Sequence, residues 1–291
     1  MSKGASSTAM PRKGQPLSLK DLQRAASPSG NVPRLSSVVT LARQFQRAVR
    51  LDADYGSVDA LKGYVCQGTA RNVLETMSRQ IVHTRQRAFT WTGPFGGGKS
   101  SLAVGLCSLV SPDRIVRQAA SMALSFATAE SASDVTRAFS ASKTGWLVLP
   151  VVGHRGSVVD AIAAELDRHV GSSILRKTKS KSRQRTALVL QELAQQAGSR
   201  RSDGVLLCID ELGKFLEAAA DGDDIYFYQE LADVAGRCDG KLVVVGILHQ
   251  SFEQYANRLG SEVRDEWRKV HPRVHQACQG AGVERRGPTA P

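Results

Sequence analysis

The chain has 291 residues, of which 42% are hydrophobic, enough for one large folded domain or for one domain with a small appendage. No apolar run approaches the length of a membrane span, and no apolar stretch follows the basic N-terminus as it would in a secretory signal. The formal charge is +12, and the five cysteines show no C-x-x-C spacing. We therefore expect a cytoplasmic protein without membrane contact, structural zinc or disulfides.

The part of the chain before the first predicted strand divides into two segments. Residues 1–34 are rich in Ser, Gly, Pro, Lys and Arg, a composition that predicts a disordered basic leader. The pattern of residues 35–86 predicts a mostly helical segment, because apolar residues recur at intervals of three to four, as at Val73, Met77 and Ile81.

A glycine-rich loop follows a strand-like run, Ala88 to Trp91, and opens into a predicted helix, Ser101 to Val110. Gly93 to Ser100 fits the G-x-x-x-x-G-K-[ST] spacing of a phosphate-binding P-loop. Glycines let the backbone curl around a phosphate, and the N–H groups at the start of the following helix point at the same anion. The predicted nucleotide-binding residues are Gly93, Pro94, Phe95, Gly96, Gly97, Gly98, Lys99, Ser100 and Ser101.

Two side chains of this loop have a predicted chemical role. Lys99 would reach the β- and γ-phosphates of a nucleotide, and the Ser100 hydroxyl would be a ligand of Mg²⁺. The alternative is a glycine-rich turn that happens to precede a lysine. The strand before the loop and the helix after it favour the nucleotide site.

Between the loop and the next motif, the pattern alternates helices and strands. Residues 112–142 predict two short helices, and the continuous apolar run from Trp146 to Val152 predicts a strand buried on both faces. Helices are predicted over Val158 to Leu166 and over Thr186 to Ala197.

A basic segment, Arg176 to Arg185, contains six Lys or Arg residues and no acid. Such a segment could contact the phosphates of a nucleic acid. It could equally be a solvated loop between two helices, and no aromatic residue within it would stack on a base. Both interpretations stay open.

A pair of acids follows the apolar strand predicted over Val205 to Ile209. Asp210 and Glu211 would stand at the carboxyl end of this strand, which is the edge where open α/β sheets bind ligands. Paired carboxylates suit hydrolysis of a phosphoanhydride, whereas the simpler interpretation is that they cap the following helix. Their position about one hundred residues after the glycine-rich loop favours the first interpretation.

A fourth strand is predicted over Lys241 to Gln250. Its polar end, His249 and Gln250, would emerge at the same edge as Asp210. Four strands separated by helices predict an α/β fold with a parallel, doubly wound sheet, flanked by helices and preceded by a helical N-terminal segment.

These motifs resemble the Walker A and Walker B motifs of P-loop ATPases of the AAA or ASCE type, which carry a catalytic glutamate. The stretches G-P-F-G-G-G-K-S-S-L, I-D-E-L-G-K-F and G-I-L-H-Q-S-F-E-Q-Y-A look most like large bacterial ATPases encoded near DNA-modification or phage-defence genes. The resemblance spans roughly residues 87–250, and the predicted ATPase core runs over residues 87–270. No N-K-x-D element for guanine is present, so ATP is preferred over GTP.

The resemblance implies roles for individual residues. Asp210 would hold the Mg²⁺ shell, and Glu211 would orient and deprotonate the attacking water. His249 or Gln250 would occupy the sensor position that reads the γ-phosphate, where the family usually has Asn or Thr; capping of the next helix is the alternative. Tyr64 and its neighbours, in the segment that precedes the first strand, are candidates to touch adenine.

The C-terminal part of the chain departs from the family pattern. A helix is predicted over Ser251 to Lys269, and residues 271–291 predict an irregular tail. The further strand that such a core normally has is not visible, so we expect a fragment or an early end. The arginines of the helix would reach a neighbour's nucleotide or form surface ion pairs; they are Arg258, Arg264 and Arg268.

The sequence therefore predicts Mg²⁺-dependent binding and hydrolysis of ATP, driving a conformational change in a larger assembly of other subunits or further copies of the chain. Two alternatives stay open: a switch or scaffold that binds ATP without turnover, and a small-molecule kinase.

Overall fold

Four strands form one sheet, and all of them are parallel. They are β1 (Ala88–Thr92), β2 (Leu147–Val152), β3 (Val205–Asp210) and β4 (Leu242–Leu248), in the order β1-β4-β3-β2. Each lies where a continuous apolar run predicts a strand, because a strand covered by helices on both faces is apolar along its whole length. The α/β fold with a parallel sheet flanked by helices is confirmed.

The computed structural model describes residues 48–126, 128–179, 182–220, 225–250 and residue 255. The predicted leader (1–34) and tail (271–291) lie outside the described residues. The same is true of the three arginines of the predicted C-terminal helix, whose only described residue is Tyr255.

Eleven helices are described around the sheet. They are α1 (Leu51–Asp54), α2 (Val58–Leu61), α3 (Gly68–His83), α4 (Lys99–Leu109), α5 (Arg114–Leu124), α6 (Ala129–Ala138), α7 (Val158–Val170), α8 (Ile174–Thr178), α9 (Ser182–Ala197), α10 (Leu212–Ala220) and α11 (Tyr226–Arg237). None of the helices in the described ranges is long and apolar enough to cross a membrane.

The helices cover both faces of the sheet because the connections run in opposite directions along it. The chain crosses from β1 to β2, at the far side of the sheet, and then steps back through β3 to β4. Since crossovers between parallel strands share one hand, the first connection lies on one face and the later ones on the other. The core is accordingly divided: α1 to α6 pack on one face and α7 to α11 on the opposite face.

The strand register brings the carboxyl ends of all four strands to one edge. Thr92 of β1 is aligned with Leu248 of β4, and Val152 of β2 with Asp210 of β3. The loops that follow these strands therefore begin side by side. We call this side of the sheet the carboxyl edge.

Two buried cysteines lie at the contact between α4 and β3. Cys107 of α4 and Cys208 of β3 are both fully buried free thiols. A hydrogen bond to Cys107 and burial both raise the pKa of the Cys208 thiol well above its usual range. Both residues behave as small core side chains, as expected for cysteines inside apolar runs.

Some elements differ from the prediction. The basic segment Arg176 to Arg185 is not one loop, because its first half contributes to α8 and its second half begins α9. Helix α11 has no counterpart among the predicted elements. Within the segment predicted to be mostly helical, residues 51–61 contain two short helices, α1 and α2.

Candidate functional site

The glycine-rich loop lies at the carboxyl edge, between β1 and α4. Gly98 is the N-cap residue of α4 and has a φ of 76°, a left-handed conformation that favours glycine. Gly93 donates its N–H to the carbonyl of Leu248 at 3.3 Å, which ties the start of the loop to the end of β4. Ser100 and Ser101 are half-buried in the first turn of α4. The loop thus leads directly into a helix N-terminus, the arrangement that favours an anion.

Lys99 lies across the loop that precedes it. Its Nζ donates to the carbonyl oxygens of Gly93 and Pro94, at 2.6 and 2.7 Å. Burial lowers the pKa of Lys99, and the negative charge of Asp210 acts in the opposite direction. The charge of Asp210, the last residue of β3, thus acts on Lys99, the first residue of α4.

The acidic pair stands at the end of β3, two strands away from β1. Adjacent strands are about 4.8 Å apart, so β1 and β3 are separated by roughly 10 Å. Because β4 lies between them, a ligand contacted by both the loop and the acids would lie beyond the end of β4, next to His249. Asp210 is buried, and its Oδ1 accepts the N–H of Glu211 at 2.9 Å.

The backbone of Glu211 is strained and is held by its neighbours. Its φ is 52°, in the left-handed region that non-glycine residues seldom adopt. Gly153, just after β2, donates to the carbonyl of Asp210 at 2.8 Å, and a Cβ at Gly153 would lie 2.1 Å from the carbonyl oxygen of Glu211. On the other side, Leu212 packs against Gly246 of β4, where an added Cβ would come within 2.4 Å of it.

The side chain of Glu211 has a cationic partner. Lys214, three residues later on α10, forms an ion pair through its Nζ with Oε2 of Glu211. Sequence reasoning missed this contact. The signal was available, because residues three apart on a helix lie next to each other and E-L-G-K places opposite charges at that spacing.

His249 lies at the centre of the site. Its ring stacks on Phe95 of the glycine-rich loop, with centroids 3.7 Å apart and an interplanar angle of 20°. Burial first, and then the charge of Lys99, lower the pKa of His249, against the opposing charges of Glu211 and Asp210. Both ring nitrogens are buried and have no hydrogen-bond partner among the described residues.

A buried nitrogen without a partner costs free energy, so the ring of His249 is suited to a polar ligand that would contact it. Gln250, the other predicted sensor residue, follows it in the chain and is half-buried. The site therefore contains two positive groups, two carboxylates and one imidazole at the carboxyl edge: Lys99, Lys214, Asp210, Glu211 and His249.

Tyr64 occupies a different environment. It is partly buried against the core on the face covered by α4, and burial raises its pKa above the usual range, as does its hydrogen bond to Cys66. The proposed contact of Tyr64 with adenine stays a prediction.

The basic segment is partly used for structure. The Arg185 side chain bonds to Asp160 of α7 and to the Thr178 hydroxyl at 2.9 Å. Since Asp160 lies in the first turn of α7, which begins just after β2, this contact puts the start of α9 near the carboxyl edge. The exposed cations of the segment in the described ranges are Arg176, Lys177, Lys179 and Arg183.

Comparison with known proteins identifies no relative: no protein-family model, curated protein or solved structure matches the chain.

Proposed function

We propose that this chain binds ATP with Mg²⁺ at the carboxyl edge and hydrolyses its terminal phosphoanhydride bond. The observation that carries the proposal is the parallel arrangement of the sheet, in which the glycine-rich loop after β1 and the acids at the end of β3 begin at the same edge, where the charge of Asp210 acts on Lys99. Two motifs more than one hundred residues apart in sequence thus meet at one site. Such a meeting is required of a P-loop and its acidic partner, and it therefore supports the proposal.

The residues present fit a magnesium nucleotide. Mg²⁺ prefers oxygen ligands and keeps several waters, so one hydroxyl and one carboxylate, from Ser100 and Asp210, would hold it. The bound ion would spread the negative charge of the β- and γ-phosphates. The N-terminus of α4 and Lys99 would bind the phosphate oxygens, and His249 would offer a ring nitrogen toward the terminal phosphate.

Glu211 is the residue that we assign to the chemical step. Its carboxylate would orient a water for in-line attack on the terminal phosphorus and accept a proton from it as the new P–O bond forms and the bond to the bridging oxygen breaks, which releases ADP and inorganic phosphate. The strained backbone supports this role, because energetically costly conformations persist where the surrounding structure holds a functional group in place.

Turnover and nucleotide binding by Glu211→Gln test the proposal. We expect turnover to fall by about 10²–10⁴-fold, because the general base is lost, while ATP binding is kept. The matched control is Glu130→Gln on α6, an exposed glutamate in a first helical turn, which should change neither quantity. Wild-type protein that binds no nucleotide would contradict the proposal.

The same experiment separates the two alternatives. A switch or scaffold would bind ATP and show no turnover in the wild type, and the Lys214–Glu211 ion pair is the observation that favours it, because it occupies the proposed base. A small-molecule kinase would form ADP only after an acceptor is added, and the phosphate would appear on the acceptor and not as free phosphate.

We also propose that the ATPase acts in a larger, DNA-associated or defence-related assembly, with other subunits or further copies of this chain, in the cytoplasm. The resemblance of the three motif stretches supports the assembly. Free, buried cysteines are typical of reducing compartments. The exposed cations of the basic segment support contact with nucleic acid phosphates.

Neutralising the exposed cations tests the nucleic-acid contact. With Arg176, Lys177, Lys179 and Arg183 changed to Gln, the slope of log affinity for duplex DNA against log salt should fall by up to about 3–4, since each phosphate contact contributes about 0.9. Arg185 is left unchanged because its bonds are structural. An unaltered slope would exclude these four cations as phosphate contacts.

A further inference from the structure

We propose that Lys214 is a specificity-determining residue of this site: its ammonium group moves from Glu211 to the terminal phosphate of a bound triphosphate. The site would then distinguish ATP from ADP, and Glu211 would become free to accept a proton only when the third phosphate is present. This inference rests on the proposed function, because it needs a nucleotide at the carboxyl edge.

The first argument is the position of Lys214 relative to the loop lysine. The ring of His249 stacks on Phe95 of the glycine-rich loop, while Lys214 pairs with Glu211 at the end of β3, the strand next to β4, which His249 follows. In keeping with this geometry, the charges of Lys99 and Lys214 both lower the pKa of His249. His249 therefore lies within range of both ammonium groups, one from the glycine-rich loop and one from α10. A phosphate next to His249 would interact with both cations.

The second argument is the weakness of the contact that Lys214 makes with Glu211. The side chain of Lys214 is 49% exposed and that of Glu211 is 34% exposed. Ion pairs exposed to this degree contribute little net free energy, since water competes for both charges. A terminal phosphate carries more charge than one carboxylate, so it would take the ammonium group from Glu211 at small cost.

The third argument is geometric. The backbone of Glu211 is fixed by Gly153 and by the strained φ of 52°, and its carbonyl accepts the N–H of Lys214 at 3.0 Å in the first turn of α10. The backbone of both residues is thus held in place. Only the flexible four-carbon stem of Lys214 has to move, and this requires no change in the fold.

Direct binding of Mg²⁺ complexes of a non-hydrolysable ATP analogue and of ADP tests the inference in the full chain. In Lys214→Met, we expect the ratio of triphosphate to diphosphate affinity to fall about tenfold, because one charge-assisted contact is lost for the triphosphate alone. ADP affinity should stay within about twofold of the wild type. Lys214→Arg, which keeps the charge, should restore most of the ratio.

Lys62→Met is the matched control. Lys62, the C-cap residue of α2, forms an exposed ion pair with Asp59 of that helix. The two residues are three positions apart, as Glu211 and Lys214 are, so this pair has the same chemistry away from the site. This variant should leave the ratio unchanged. Thermal unfolding of each variant would establish that exposed substitutions have left the fold intact.

Three results would overturn the inference: an unchanged ratio in Lys214→Met, an equal loss of affinity for both nucleotides, or the same change in Lys62→Met. Each of these leaves the proposed function standing, provided that the wild type binds ATP. Absence of binding of either nucleotide to the wild type would remove the proposed function itself and this inference with it.

Discussion

The two halves of the candidate site reach the same edge of the sheet by different means. The loop half takes its shape from its own sequence: Gly98 supplies the left-handed turn, and Lys99 bonds to carbonyls no more than six residues away. The acidic half depends on other strands, since Glu211 is held by Gly153 after β2 and Leu212 packs on Gly246 in β4. One half is a local motif, and the other is a tertiary arrangement.

The largest effect on stability should come from a substitution in the acidic half of the site, at Gly153. In Gly153→Ala the new Cβ would lie 2.1 Å from the carbonyl oxygen of Glu211, so the ends of β2 and β3 must separate. We expect a loss of about 1–3 kcal/mol in the free energy of unfolding, measured by denaturant titration, together with a loss of turnover.

Gly68→Ala is the control for this change. Gly68 begins α3, and a Cβ there would meet nothing within 4 Å. This variant should gain about 0.4–1 kcal/mol, because alanine restricts the unfolded chain. If Gly153→Ala were as stable as Gly68→Ala, the close approach of the two strand ends would be wrong.

In the loop half of the site, substitution of Gly98 by alanine should lower the free energy of unfolding for a different reason. A Cβ at Gly98 would meet nothing within 4 Å, but the φ of 76° costs an alanine about 1–2 kcal/mol. Asparagine tolerates this conformation better than alanine, so Gly98→Asn should recover part of the loss, whereas Gly153→Asn should be no better than Gly153→Ala. Denaturant midpoints of the four variants separate conformational strain from collision.

The smallest effect concerns His249, which joins the two halves. In the folded state, burial and the charges of Lys99 and Lys214 lower the pKa of His249 from its usual 6.5. The charges of Glu211 and Asp210 oppose this shift but do not cancel it. Between the folded and unfolded pKa values the unfolded chain binds more protons, so the contribution of His249 to stability is lost as pH falls below about 6.5.

His249→Phe removes this proton uptake and keeps a ring that can stack on Phe95. As pH falls from 7.5 to 5.5, the free energy of unfolding should therefore decrease more in the wild type than in the variant. A difference that is constant with pH would show that His249 does not titrate in this range.

The sequence patterns predict the local half of the site better than the tertiary half. Four largely apolar runs identify the four strands, because strands covered by helices on both faces carry few polar residues, such as Thr90 of β1. The spacing of Gly93, Gly98 and Lys99 lies within one stretch and can be read directly. The carboxyl edge then follows from the parallel arrangement, which brings Asp210 and His249 together.

The remaining features depend on distances that no local pattern records. Gly153 reads as the end of a strand, and only the register of β2 with β3 shows that it faces the carbonyl of Glu211. The stack of Phe95 on His249 joins positions far apart in the chain. In the sequence, Arg185 is one of several cations in a basic segment. Only the structure shows that it bonds to Asp160 and so fixes the start of α9.

The buried thiols of Cys107 and Cys208 give this molecule a built-in reporter. Because both are enclosed between α4 and β3, an alkylating reagent reaches them only when the loop helix lifts from the strand that carries the acids. Their labelling rate under native conditions therefore measures how often the two motif-bearing elements part, without a substitution or an attached probe.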